Sequence, residues 1–287
     1  MKMNEKKSVY EMVTDRIIAQ LDQGVIPWQK PWRFTGNLKN LAYNRITKKP
    51  YSLLNQLILL HEGEYATYKQ WESIGGCVRK GEKAEIVTFW KILPVKDEET
   101  GEMIHIPLLR KYSVFHISQV DGVEAVPVEE LPKPADPIPV GEKVIHDYVD
   151  GSELRLIVRV SDKAFYSVTG DYINLPTKDQ YDEIEEFYCT AFHEMVHSTG
   201  HEKRLKRKEL YSYSGFGSEM YSKEELTAEI GSACLMESVG IETEKCMKNS
   251  AAYIQSWLTA LRNDKRMVVS AAGKAEKAVE YILSFSS

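Results

Sequence analysis

The sequence is short of paired cysteines, of net positive charge and of long apolar runs. Its four cysteines (Cys77, Cys189, Cys234 and Cys246) are widely separated and form no C-x-x-C pair. That spacing excludes a zinc knuckle and a disulfide framework, and suits free thiols in a reducing cytosol. No stretch approaches the roughly 18 apolar residues of a membrane span, and the charged residues 1–7 contain no apolar signal core. These absences lead to the expectation of a cytoplasmic protein with no membrane partner. A net charge of -5 gives the whole chain no attraction for nucleic acid. The charge is unevenly spread, however. Residues 1–120 carry 18 Lys and Arg against 13 Asp and Glu, which leaves 19 against 29 for the remainder. A basic half and an acidic half suit different partners.

What is present is enough to bury a full core. The 287 residues are 43% hydrophobic and 28% charged, sufficient for one large domain or two ordinary ones. The segment VPVEELPKPADPIPV, residues 126–140, concentrates proline and acidic residues and reads as a linker. The expected organisation is an α+β domain over 1–122, a Pro-rich acidic linker over 123–141, and a second domain over 142–287. In the first, apolar spacing predicts helices over 9–21, 51–60 and 67–74, and β-branched and aromatic runs predict strands over 85–92 and 111–120. In the second, strands over 155–160, 164–166 and 172–175 precede a helix over 181–198. Helices over 223–239, 251–262 and 272–285 complete it.

The helix over 181–198 carries His193-Glu194-Met195-Val196-His197. Two His four apart on a helix stand one turn above each other, so both rings can grip one metal ion. Glu194 can then reach a water on that metal as general base. Catalytic zinc takes three protein ligands and leaves a fourth position open. His201 lies beyond Gly200, which ends the helix, and is set aside as the third. The run Glu224-Glu225-Leu226-Thr227-Ala228-Glu229 is the better source. Glu225 and Glu229 share a face at i,i+4. We assign Glu225 as ligand and Glu229 as the carboxylate that accepts the free N–H of a ligating His, with the reverse, or Glu224, left open. The expected metal is Zn2+, with another divalent ion possible. Tyr211, Tyr213 and Tyr221 are candidate donors to a developing oxyanion. The strand before the metal helix, 171–175, could offer its edge to an extended peptide. Sheet, metal helix and then an acid-bearing helix are compatible with a zincin.

Beyond the H-E-x-x-H run, the segments His197-Ser198-Thr199-Gly200-His201, Arg204-Leu205, Phe216-Gly217-Ser218-Glu219 and Glu224 to Gly231 resemble the metallopeptidase domain of ArdC-like antirestriction proteins of plasmids and other mobile elements. The first region resembles that family's N-terminal domain at Ile26 to Trp32, Tyr43-Asn44-Arg45, Tyr51 to Asn55, Ala66 to Trp71, Gly75 to Lys83 and Val114-Phe115. The resemblance implies an α+β fold whose second domain is zincin-like. It implies a single-stranded-DNA-binding first domain, a protein substrate for the second, and protection of DNA during transfer such as conjugation. Single strands are held by basic grooves and aromatic faces. Trp28, Trp32 and Tyr43, interleaved with Lys30, Arg33, Arg45, Lys48, Lys69, Arg79, Lys80 and Lys83, are the expected contacts. Tyr51 and Trp71 read as core. Two rival readings keep part of this: a DNA-shielding protein whose metal is structural, and a regulatory metalloprotease whose first domain binds protein.

Overall fold

The computed structural model describes residues 7–29, 41–96, 102–126, 137–211, 219–241 and 251–286. Helix α1 (Val9–Asp22) starts at a capping box in which Ser8 and Glu11 bond each other's backbone N–H. Two shorter helices follow, α2 (Leu53–Ile58) and α3 (Tyr68–Ser73). They pack beside a four-stranded sheet in the order β1 (Ala42–Asn44), β2 (Gly63–Ala66), β5 (Met103–His116) and β4 (Glu85–Lys96). β4 and β5 form a long antiparallel hairpin, in register from Glu85 opposite Val114 to Lys96 opposite Met103. A small ribbon pairs β3 (Cys77–Val78) with β6 (Val120–Asp121).

Residues 137–141, read from sequence as the end of a linker, instead open helix α4 (Pro137–Gly151). Pro137 and Pro139 are tolerated there because the first helical turn needs no N–H partners. Val144, Ile145 and Tyr148 then bury one face of this helix. A three-stranded sheet follows in the order β7 (Arg155–Val158), β9 (Tyr172–Leu175), β8 (Phe165–Ser167). β9 is parallel to β7 and antiparallel to β8. The strand expected to offer an edge is therefore the central one, with both edges already paired; β8 has the outer position on the side opposite β7.

Four helices complete the fold: α5 (Ile184–Thr199), α6 (Glu219–Val239), α7 (Ala251–Asn263) and α8 (Met267–Leu283). The fold is α+β, and the second domain is zincin-like. Its core does not stop at the first domain. Val13, Ile17, Leu21, Trp28 and Leu57 belong to the same buried cluster as Phe192, Leu226, Leu261 and Val268. Among the described residues, no helix is long and apolar enough to cross a membrane.

Candidate metal centre

α5 is apolar on the face formed by Phe187, Tyr188, Ala191, Phe192, Met195 and Val196, all buried. That face fixes the helix against the core and turns His193 and His197 toward α6. On α6, Leu226, Ala228, Ile230 and Ala233 are buried, which sets the rotation that brings Glu225 to the two rings. The His193 and His197 Nε2 atoms lie 3.1 Å apart. Glu225 Oε2 lies 3.5 Å from His193 Nε2, and its Oε1 lies 3.5 Å from His197 Nε2. Among the described residues these three form the one group of His, Cys, Asp and Glu whose donor atoms converge on a common point.

The spacing fits a metal. Four ligands at about 2.0–2.1 Å in a tetrahedron have donor–donor edges of about 3.3–3.4 Å, close to the 3.1 Å between the two Nε2 atoms and the 3.5 Å from each to its own Glu225 oxygen. Two imidazole nitrogens facing each other at this distance also need a cation or proton between them. Two imidazoles and a carboxylate suit a divalent ion. His193 and Glu225 are only half-buried, so the centre is open on one side.

Glu224 supports the cluster from behind. Its Oε1 lies 3.2 Å from His197 Nδ1. An ionised carboxylate only accepts, so Nδ1 carries the proton and Nε2 presents its lone pair to the site. Glu224 is in turn held by Arg207, whose Nε and Nη2 donate to it at 2.6–3.2 Å. The same guanidinium donates to the carbonyls of Val196 and His197 and to Thr199 Oγ1, closing the end of α5. Arg204 donates to the Ser198 carbonyl and pairs with Asp171. The basic loop after Gly200 thus folds back as a cap on the metal helix.

The electrostatics follow from burial and these contacts. Burial raises the Glu224 carboxyl, but His197 and Arg207 outweigh it and hold its pKa at about 2. Burial opposes protonation of His197, yet Glu224 and Glu225 push its pKa up to about 10. His193 is raised too, by Glu225 against the effect of burial. Glu194 is buried, and its negative charge favours the charged form of both rings.

Several expected residues sit elsewhere. Among the described residues Glu229 bonds neither His ring; burial raises its carboxyl, and it lies near Tyr253 on α7. Glu224 has the supporting place instead. His201 is buried outside the cluster, 3.7 Å from Asp171. The Tyr211 hydroxyl accepts the Glu202 N–H at 2.6 Å, while Tyr213 and the Tyr221 side chain lie outside the described residues.

The expected DNA contacts divide. Trp28 is fully buried, edge-on to Trp257 at 6.0 Å, so it has no face for a base. Tyr43 is 1% exposed and donates its hydroxyl to Glu64. Both are corrected to core. Arg45 is paired with Glu64, and Arg79 with Glu82 and Asp121. Lys48, Lys69, Lys80 and Lys83 are exposed. Lys30, Trp32 and Arg33 lie outside the described residues. Tyr51 and Trp71 are buried, as expected. Arg207 was missed because a lone basic residue in a Lys- and Arg-rich loop carries no local signal of burial.

Both halves of the chain are similar to known proteins. A family model described as the N-terminal domain of anti-restriction factor ArdC matches residues 7–115, and one described as a zincin-like metallopeptidase matches residues 145–274. The structure of the antirestriction ArdC protein from plasmid R388 in its metal-free state is 33% identical, with a TM-score of 0.72 and 98% of both chains covered. This chain belongs to the ArdC antirestriction family. The Mn(II)-bound structure of the R388 protein matches with the same TM-score at 31% identity, over 98% of this chain and 99% of that one. An uncharacterised protein, y4eC of Sinorhizobium fredii, is 31% identical across 96% of this chain and 91% of its own length. Two Escherichia coli proteins named DNA primase TraC are each 34% identical over nearly all of this chain. The chain spans only 20% and 27% of their lengths.

Proposed function

We propose that this chain is an antirestriction protein of a mobile element that binds single-stranded DNA and carries a zinc-dependent peptidase site. The observation that carries the peptidase reading is the convergence of His193, His197 and Glu225 on one open-sided point, with Glu194 beside it. We assign these three as ligands. Zinc is preferred because two imidazoles and a carboxylate are a common catalytic zinc set, and nitrogen ligands favour Zn2+ over Mn2+. When bound, the metal would acidify a water and polarise a substrate carbonyl. Glu194 accepts the proton of the attacking water and returns it to the departing amine. Glu224 and Arg207 keep the His197 ring in the required tautomer. The outer strand β8 packs beside α5 and has the free edge that an extended peptide needs.

DNA binding rests on membership of the family and on the basic balance of residues 1–120. The rival in which the metal only holds the fold has less support. The R388 protein keeps a fold of equal similarity with and without metal. Arg207 and Glu224 also hold α5 to α6 by direct bonds that need no ion.

The test compares zinc-loaded wild type with Glu194→Gln on a degenerate peptide library read by mass spectrometry. We expect cleavage by the wild type and a loss of at least about a thousandfold in the variant, at equal zinc content. Undiminished cleavage by the variant would remove Glu194 from the chemistry. No cleavage by either protein, with DNA protection intact in both, would instead support shielding. The DNA arm is anisotropy of a labelled single strand across a salt series. Affinity should fall steeply with salt as phosphate contacts release counterions.

A further inference from the structure

One face of the four-stranded sheet holds a cavity of about 600 Å³ that has no part in the metal centre. Its size falls within the usual range for small-molecule sites, roughly 300–1,000 Å³. Its lining includes the rings of Tyr51, Phe89 and Tyr112 and the polar side chains of Asn44, Gln70 and Lys49. Phe89 is 47% exposed and Tyr112 45% exposed. They meet edge to face at 5.7 Å, and Tyr51 leans against Phe89 at 6.2 Å. Two large rings on a sheet face normally cover each other or are covered by a helix. Here each leaves half its surface toward an open pit.

Positive charge borders the rings. Phe89 stands directly opposite Arg110 in the β4–β5 register, and Val87 opposite Tyr112. Opposed residues share a face of the sheet, as do residues two apart. Arg110 therefore flanks Phe89 on the cavity side. It is exposed and makes no ion pair among the described residues, and the same holds for Lys49. This differs from Arg45 and Arg79, whose charges are already matched.

The polar wall is held in one orientation. Asn44 Oδ1 accepts the N–H groups of Ile46 and Thr47, both at 3.0 Å. Gln70 Oε1 accepts the Thr67 N–H at 2.9 Å. Both amide oxygens are thereby fixed, and Asn44 Nδ2 donates to Gln70 Oε1 and to the Tyr51 hydroxyl oxygen, each at 3.3 Å. Among the described residues, the Gln70 Nε2 amide and the hydroxyl proton of the neighbouring Tyr51 have no acceptor. Both are donors.

We propose that this cavity receives one unstacked nucleobase of single-stranded DNA. The base stacks on Phe89 and Tyr112. A keto oxygen on its edge accepts from Gln70 Nε2 and the Tyr51 hydroxyl. The adjoining phosphates lie on Lys49 and Arg110. Aromatic stacking beside a basic border is the physics of single-strand binding. A keto oxygen has two lone pairs and accepts both donors at once, whereas each adenine ring nitrogen has one and takes only one of them, so thymine tracts bind severalfold more tightly than adenine tracts. The assignment rests on the single-stranded-DNA reading above and locates it.

The test uses the full chain. Anisotropy with labelled dT and dA oligonucleotides is measured for wild type, Phe89→Ala and Tyr112→Ala. A dT oligonucleotide carrying 5-iodouracil is photocrosslinked and the adduct mapped by mass spectrometry. We expect each variant to bind dT about tenfold or more weakly, since loss of one stacked ring costs on that order. Both variants should melt within a few degrees of wild type, because both rings are half-exposed. Crosslinks should fall on peptides containing Tyr51, Phe89 or Tyr112. Wild-type binding with crosslinks elsewhere and no change in either variant overturns the cavity while leaving DNA binding intact. Absence of wild-type binding at low salt overturns both.

Discussion

At the scale of single residues, the metal centre depends on which proton sits where. His197 has its pKa pushed up to about 10 by Glu224 and Glu225, and His193 is raised as well. The His197 ring therefore carries a proton at neutral pH before a metal arrives, and a metal takes both rings neutral. Binding must release protons. Calorimetry in buffers of different ionisation enthalpy should find at least about one proton released per metal at pH 7, with affinity rising with pH. Zero release would mean the rings are already neutral and the carboxylates do less than the geometry implies. Arg207 gives a second test. It is buried with Glu224, so Arg207→Met leaves that carboxylate with His197 alone and should destabilise the fold by about 3 kcal/mol. Glu224→Ala removes the support of His197 and should weaken metal binding by about 10- to 100-fold. A variant that keeps wild-type metal affinity would return Glu224 to a structural part. At this scale the sequence was informative where chemistry is local. H-E-x-x-H is read from five consecutive residues; helical spacing sets Glu225 and Glu229 on one face, and the preference for Glu225 between them comes from the resemblance of the acid-bearing helix to known metallopeptidases. Choosing between Glu224 and Glu229 required knowing which side of α6 faces His197, and neighbours on a helix point about 100° apart. Trp28 and Tyr43 look like binding aromatics in sequence because burial is a property of distant partners.

At the scale of elements, the centre depends on how closely α5 and α6 approach. Gly231 sits where a Cβ would meet Val196 Cγ2 at 2.8 Å and Cγ1 at 3.1 Å. Val196 is fully buried, β-branched and adjacent to His197, so it has little freedom to turn aside. Glycine inside a helix costs about 0.5–1 kcal/mol relative to alanine; the close approach explains its presence here. Gly231→Val should force the helices apart at a cost of about 1–3 kcal/mol. Glu225 lies on the same helix and moves with it. The expected result is a folded protein whose metal affinity falls at least about tenfold, measured by competition with a chromogenic chelator. Unchanged affinity would mean the ligand positions tolerate helix separation. Long periodic elements were legible in the sequence, and α1, α5, α6 and α7 fall within a few residues of their expected ranges. The elements that escaped have physical reasons. β1 and β2 are three and four residues long, too short for alternation to register. α4 begins on two prolines that mimic a linker. β9 was expected to have a free edge because pairing order is a property of the sheet and not of the strand.

At the scale of the whole molecule, the proline-rich segment suggested two separable domains, yet the buried cluster runs through both. Trp28 packs against Trp257, and α1 against α7 and α8. Hydrogen bonds cross as well: Thr14 Oγ1 donates to the Lys265 carbonyl at 2.8 Å, and the Leu53 N–H to Glu276 at 2.9 Å. Residues 1–122 alone would expose Val13, Ile17, Leu21 and Trp28, all buried in the full chain. A region of that size, stripped of one side of its core, lacks the apolar burial that offsets chain entropy. The isolated segment should therefore show poorly dispersed amide resonances and no cooperative melting, and a failure of that fragment to bind DNA would say nothing about the intact protein. The full chain should unfold in one calorimetric transition. Metal bound to the second domain should raise that single melting temperature, because a ligand of the native state stabilises whatever unfolds with its site. Two resolved transitions, with metal shifting only one of them, would show that the shared cluster does not couple the halves. One transition would mean that DNA on the sheet face and metal on α5 draw on the same folding free energy.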